Sequence, residues 1–184
     1  MAAVLFCDSA YSQSQSNTNP RYVITISQGG AKLGDIEIEL MPAVAPKHCA
    51  NFDSLVRVKF YDGSVFHRVI PGFMIQGGSL NSKIKPRERN MWGASDTSQK
   101  RVPAEFSDTK HKRGVISAAR TNDPNSATSQ FFICVDDATH LDGKYSAFGQ
   151  VVRGMDVVDA IVDLPRDERD NPIERVEMIV VRIN

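Results

Sequence analysis

The sequence predicts a mainly β fold, an antiparallel sheet closed into a barrel with two helices over its open ends. Three observations carry this. Short runs rich in β-branched and aromatic residues recur along the chain, separated by glycine, proline and polar turns. Only two stretches show the three-and-four spacing of an amphipathic helix. Strand follows strand with no βαβ alternation and no internal repeat, which favours antiparallel closure over parallel architectures.

The elements follow in order. RYVITIS (21–27) is a strand by its Val, Ile, Thr and Tyr content. GDIEIEL (34–40) sets Ile36, Ile38 and Leu40 on one face and Asp35, Glu37 and Glu39 on the other, so one side is buried and one is wet. Gly29-Gly30 supplies the turn of a hairpin between them. In APKHCANFDSLVRVKF, Pro46 suits the first turn of a helix, and Cys49, Phe52, Val56 and Phe60 form its apolar stripe. Strands SVFHRVI, FMIQ, GVISAA, QFFIC and SAFGQVV come next. A second helix over roughly 155–164 buries Val157, Val158, Ile161 and Val162, and Pro165 stops it. IERVEMIVVRI (173–183) closes the chain as a strand.

Between Ser79 and Arg113 lies a long irregular segment with nine Lys/Arg against four Asp/Glu and Trp92 inside it. A loop of this length is functional or mobile. Its charge reads first as a solvated surface. The alternative is a contact surface for an acidic partner.

The 184 residues suit one domain with its own core. Basic and acidic residues number 22 each, so the formal net charge is zero and no nucleic-acid partner is indicated. No apolar run approaches the roughly 20 residues that span a bilayer, so no membrane insertion is expected. The chain divides into a tail over 1–20 and a folded domain over 21–184. AAVLFC is apolar and short, and the polar run after it has the composition of disorder from about residue 9 to 19. The basic start of a complete signal peptide is missing. The tail is therefore a flexible extension or a signal-peptide remnant. The protein is periplasmic or secreted if residues 2–10 end a signal peptide, and cytoplasmic otherwise.

Cys7, Cys49 and Cys134 are scattered, with no CxxC and no histidine at ligand spacing. They read as buried free thiols, not as a disulfide framework or a metal site. No cofactor motif is present.

Strand alternation singles out a site. In FHRVI, Phe66, Arg68 and Ile70 share a face; in FMIQ, Met74 and Gln76; in QFFIC, Gln130, Phe132 and Cys134, with Phe131 and Ile133 on the other side. Each strand thus puts a hydrogen-bonding group beside a large apolar one, the mixture expected of a groove with an oily floor and a few fixed donors. Taken singly, each has a plainer account: Arg68 as a surface arginine lying along Phe66, Gln76 satisfying a backbone group, Met74 and Phe132 as core. His67 reads as a structural or hydrogen-bonding residue.

FHRVIPGFMIQGG (66–78) and SATSQFFICVDDATHLDGKYSAFGQVVRGMDVVDAI (126–161) resemble the cyclophilin family of peptidyl-prolyl isomerases. PAVAPKHCANFDSLV and the closing strand fit as well, so the resemblance covers roughly 21–184. AARTNDPNSATSQFF is most similar to bacterial members. The resemblance implies an eight-stranded antiparallel barrel capped by two helices, with the active groove on the outside of its wall. It implies isomerisation of X–Pro bonds in proline-containing peptides and in unfolded or partly folded proteins, by a monomer, without metal or cofactor.

Residue by residue, Arg68 matches the catalytic arginine. Gln76 matches the glutamine that positions it and the substrate backbone. Phe73, Met74, Phe132 and Leu141 match the walls of the proline pocket, and Gln130 a second groove glutamine. Ala119 and Arg120 fall in the segment whose backbone holds the substrate's extended chain. The chain departs from the common eukaryotic pattern at two positions. His140 stands where tryptophan is frequent, which implies weakened cyclosporin binding because the indole donor is absent. Tyr145 stands where histidine is frequent, at the groove's edge. Two other functions stay open: a proline-binding module with little turnover, and a hollow ligand-carrying barrel, which Phe131, Ile133 and Phe148 argue against by filling the interior.

Overall fold

The computed structural model describes residues 19–94 and 98–184. Of the expected tail or signal-peptide remnant over 1–20, residues 1–18, with Cys7 and nearly all of the stretch expected to be disordered, lie outside the described residues. Asn19 and Pro20 are already bonded to the barrel. The Pro20 carbonyl accepts the Leu40 N–H at 2.9 Å, and Asn19 Nδ2 donates to Glu39 Oε1 at 3.2 Å.

Eight strands form the barrel: β1 (Arg21–Gln28), β2 (Ala31–Leu40), β3 (Ser64–Ile70), β4 (Met74–Gly77), β5 (Val115–Ala118), β6 (Phe131–Cys134), β7 (Ala147–Arg153) and β8 (Val176–Arg182). Their order around the wall is β1-β2-β7-β5-β6-β4-β3-β8, closed and antiparallel throughout. The hairpin β1–β2 alternates as its sequence requires. Tyr22, Ile24, Ile26, Ile36, Ile38 and Leu40 are fully buried, and outward Glu37 and Glu39 pair with Arg21 and Arg153. Among the described residues, aromatic rings fill the barrel interior. Phe52, Tyr61, Phe66 and Phe131 meet edge-on or tilted inside it at centroid distances of 5.1–6.0 Å, which excludes a ligand-carrying lumen.

Helix α1 (Pro46–Arg57) buries Cys49, Phe52 and Val56 in that core, each aromatic such as Phe52 contributing about 1.5–3 kcal/mol on burial. The predicted stripe overreaches at Phe60, which lies past the helix end. Lys59 adopts φ 54°, its N–H bonding Val56 O and that of Phe60 bonding Leu55 O, both at 2.9 Å. This pair of bonds is a Schellman termination, and Phe60 and Leu55 are the apolar residues that accompany it. Helix α3 (Met155–Val162) buries Val158, Ile161 and Val162 and ends just before Asp163.

The segment 79–113 holds more structure than its sequence indicates. A short helix α2 (Leu80–Ile84) and a 3₁₀ turn (Arg89–Met91) lead to Trp92, whose Nε1 donates to Lys85 O at 3.0 Å. The guanidiniums of Arg89 and Arg175 each lie 4.9 Å from the Trp92 ring centroid. Further on, Glu105 receives the Lys47 and His48 N–H groups and His48 Nδ1, holding the segment to the start of α1. Most of the basic side chains are solvated, as expected; Lys85 and Arg89 are half-buried.

Candidate active site

β3, β4 and β6 lie side by side in the wall. Their outer face carries a second apolar cluster, separate from the barrel core: Met74, Phe132, Cys134, Ala138 and Leu141, with Ile70, Phe73, Ala119 and Tyr145 around it. β6 alternates as expected, Phe132 and Cys134 joining this cluster while Phe131 and Ile133 enter the core.

β3 does not alternate regularly. Phe66 pairs with Gly77 and Arg68 with Gln76, so His67 is an extra residue in a β-bulge. The bulge turns Phe66 inward, 1% exposed against Phe131, and sends Arg68 outward. The expectation that Phe66 shares a face with Arg68 is thereby corrected. A regular strand would have set a phenylalanine in solvent or an arginine in the core.

Arg68 stands at the edge of a cavity of about 210 Å³. Phe73, Met74, Phe132 and Leu141 supply apolar walls, Tyr145 and Ala119 line it as well, and Gln76 and Arg120 bring polar groups. No part of the described chain plugs it. Gln130 lies next door, in a cavity of about 170 Å³ that shares Gln76, Ala119 and Arg120 with the first. His140 lines neither; it is exposed, its ring 5.2 Å from that of Phe73. All the other site residues expected from sequence thus meet in two adjoining hollows on one face.

The polar groups are held in a fixed arrangement. Gln76 Nε2 donates to Gln130 Oε1 at 3.0 Å, and Gln130 Nε2 donates to Gly93 O at 3.2 Å. The Gln76 amide is therefore oriented by Gln130. Gly93 has φ 80°, and a Cβ there would come within 2.8 Å of His67 Nε2, so glycine is required twice over. Arg120 spreads over the Tyr145 ring at 4.3 Å and donates to Thr121 O and Lys144 O, while Tyr145 meets Phe132 edge-on at 5.8 Å.

Three residues escaped the sequence reading of the site. Asp170 lies beside Arg68, its Oδ2 at 4.0 Å from Nε, and Val69 N–H donates to Asp170 O at 2.8 Å. His111 is buried behind Phe132, bonded to Asp142 and to Ser117 Oγ; burial holds its pKa below the ordinary histidine value despite the carboxylate. His67 is 5% exposed, with both ring nitrogens buried and no hydrogen-bond partner among the described residues. Burial, reinforced by the Arg68 charge, lowers its pKa to about 4, so it is neutral at physiological pH. Only the Asp-Asn-Pro turn signal at 170–172 hinted at the first. Cys49 and Cys134 are buried free thiols, burial pushing their pKa values up to about 11 and about 12.

A family model described as cyclophilin type peptidyl-prolyl cis-trans isomerase/CLD matches residues 23–183. A probable peptidyl-prolyl cis-trans isomerase of Brucella suis is 42% identical over 151 residues, spanning 81% of this chain and 76% of that protein. A peptidyl-prolyl cis-trans isomerase of Acinetobacter baylyi is 39% identical over 168 residues, spanning 86% and 85%. A cyclophilin type isomerase of Cryptosporidium parvum superimposes with a TM-score of 0.77 at 27% identity, covering 90% of this chain and 98% of that one. A second structure of that protein, solved in the presence of the dipeptide Ala-Pro, superimposes with a TM-score of 0.75 at 28% identity. The chain belongs to the cyclophilin-type peptidyl-prolyl cis-trans isomerases, enzymes that rotate X–Pro peptide bonds.

Proposed function

We propose that Arg68 carries the isomerisation by binding the twisted amide better than either planar form. The carrying observation is a half-exposed guanidinium at the mouth of an unplugged apolar hollow large enough for a proline ring. The peptide C–N bond resists rotation by about 18–20 kcal/mol because of its partial double-bond character. Halfway through the turn that resonance is lost, and the prolyl nitrogen becomes a hydrogen-bond acceptor. A guanidinium is permanently charged and offers rigid donors to it. Only an interaction stronger at the twisted geometry lowers the barrier.

The other residues hold the peptide. Phe73, Met74, Phe132 and Leu141 grip the ring and exclude water, which otherwise favours the polar planar amide. Gln76, fixed by Gln130, presents its amide to the substrate backbone, and Ala119 and Arg120 border the strip between the two hollows. The Ala-Pro dipeptide accompanying the related structure supports proline-containing peptides as ligands. An open surface groove suits extended segments of unfolded or partly folded chains. A protease-coupled assay on an X–Pro peptide tests the reading: wild type turns it over and Arg68→Ala does so on the order of 10²-fold less. Full activity in the variant removes Arg68 from the mechanism.

A further inference from the structure

A third cavity, about 260 Å³, adjoins the proline hollow and shares Arg68 and Gln76 with it. It is larger than the hollow that takes the proline ring, so it has room for a whole side chain. The 3₁₀ turn leading to Trp92 borders it, together with the loop carrying Arg169 and Asn171. Three guanidiniums line it, those of Arg68, Arg89 and Arg169, and among the described residues no carboxylate does.

Their charges differ in how they are held. Arg89 stacks on Trp92 and donates to Asn171 Oδ1, Ile173 O and Pro172 O, all neutral acceptors, so it is immobilised with no acid against it among the described residues. The Arg169 side chain is exposed and has no ion pair among the described residues. Two carboxylates of the loop that carries Arg169 are engaged. Asp170 sits between Arg68 and Arg166, and Asp167 Oδ1 receives the Arg169 and Asn171 N–H groups at 2.9 and 3.0 Å. His67 also lines the cavity, nine-tenths buried, its ring nitrogens near the Val65 backbone and the Gln130 side chain without a well-formed hydrogen bond to either. The fixed charge of Arg89, unpaired among the described residues, beside the exposed Arg169 and a buried polar ring, is the chemistry of a site awaiting an anion.

We propose that this cavity is a subsite for the side-chain carboxylate of an aspartate or glutamate flanking the substrate's proline. The proposal rests on the isomerase reading of the groove. With the ring seated in the first hollow, an extended chain advances about 3.3 Å per residue, so a side chain one or two positions away reaches across Arg68 into the third cavity.

The test is a set of X–Pro peptides alike except for Glu, Gln or Lys at each of the two positions before and after the proline. Both kcat/KM and Kd are measured at low and physiological salt. At one position or more, wild type prefers Glu over Gln by about fivefold, disfavours Lys, and loses much of the preference as salt rises. Arg169→Gln lowers the Glu/Gln ratio to about twofold. Arg89→Gln, checked for folding by circular dichroism, lowers it as well. A ratio of one at every position overturns the proposal, as does a ratio unchanged in both variants. Equal turnover of all peptides would leave the isomerase standing without the acid subsite. Preferential binding of Glu peptides without turnover would do the reverse.

Discussion

Asp170 and Arg68 meet at two levels. The Asp170 carboxylate stands 4.0 Å from the Arg68 guanidinium, and its carbonyl accepts the N–H of Val69, the residue next to Arg68. Asp170 makes this contact from φ 62°, a conformation that L side chains adopt reluctantly. Its carboxylate also faces Arg166 at 3.6 Å, so it is one anion between two cations on a half-exposed surface.

The first prediction concerns this pair. Asp170→Asn removes the charge while keeping the side chain's shape. Asp170→Gly keeps the positive φ without strain, and with it the carbonyl bond to Val69. Both should lower kcat by up to about fivefold, the upper range for a partly exposed ion pair, with KM little changed. A misdirected guanidinium weakens the twisted state more than the bound ground state. Steady-state kinetics on one X–Pro peptide decide the matter. Full kcat in both variants means that Arg68 holds its direction unaided.

Arg68 itself should be expendable for folding. Its side chain is 46% exposed and its ion pair is loose, so Arg68→Ala should change the unfolding free energy by less than about 0.5 kcal/mol. Arg68→Lys should recover only a minor part of the activity, because an ammonium lacks the planar fork. Denaturant melts beside the kinetics separate the two roles. A lysine variant at wild-type rate would reduce the arginine's part to charge alone.

How far the site was legible in the sequence follows from geometry. In β6, alternation separated Phe132 and Cys134 from Phe131 and Ile133 correctly, because the ladder to β4 runs without a break. In β3 the same rule misplaced Phe66, because the bulge at His67 is marked by neither glycine nor proline. Phe60 continued the helical period, yet Lys59 had already taken a left-handed turn that no glycine announced. The contact of Asp170 with Arg68 joins positions about a hundred residues apart, and local pattern carries no signal for it. The family motifs brought together Phe73, Met74, Phe132, Leu141 and Tyr145 because they lie within two contiguous stretches.

His140 carries a prediction about inhibition. It is exposed beside Phe73 and supplies no indole N–H. Wild type should bind cyclosporin weakly, and His140→Trp should tighten binding by about tenfold, the value of one added hydrogen bond of roughly 1.4 kcal/mol. Inhibition titrations of both proteins measure this. Equal affinities would place the discrimination elsewhere on the rim.

The bulged His67 makes stability depend on pH. In the unfolded chain its pKa is about 6.5, whereas in the folded protein burial and the Arg68 charge hold it near about 4. Above pH 6.5 the ring is neutral in both states and adds no pH dependence. As pH falls from about 6.5 to about 4, the unfolded chain takes up a proton that the folded protein refuses, so stability falls. The loss approaches about 3 kcal/mol by the lower limit, at 1.36 kcal/mol per unit, and levels off below it. His67→Gln cannot titrate and should lack this component. The carboxylates held below their ordinary values, Asp53, Glu105 and Asp142 among them, lose their own contribution toward acid pH in both proteins and cancel in the comparison. Urea melts of wild type and His67→Gln at pH 7.5 and 4.5 give the difference directly. The wild type should lose about 2–3 kcal/mol more than the variant. Parallel losses would mean that the ring is protonated in the folded protein as readily as in water, and that the cavity beside Arg68 is wet down to His67.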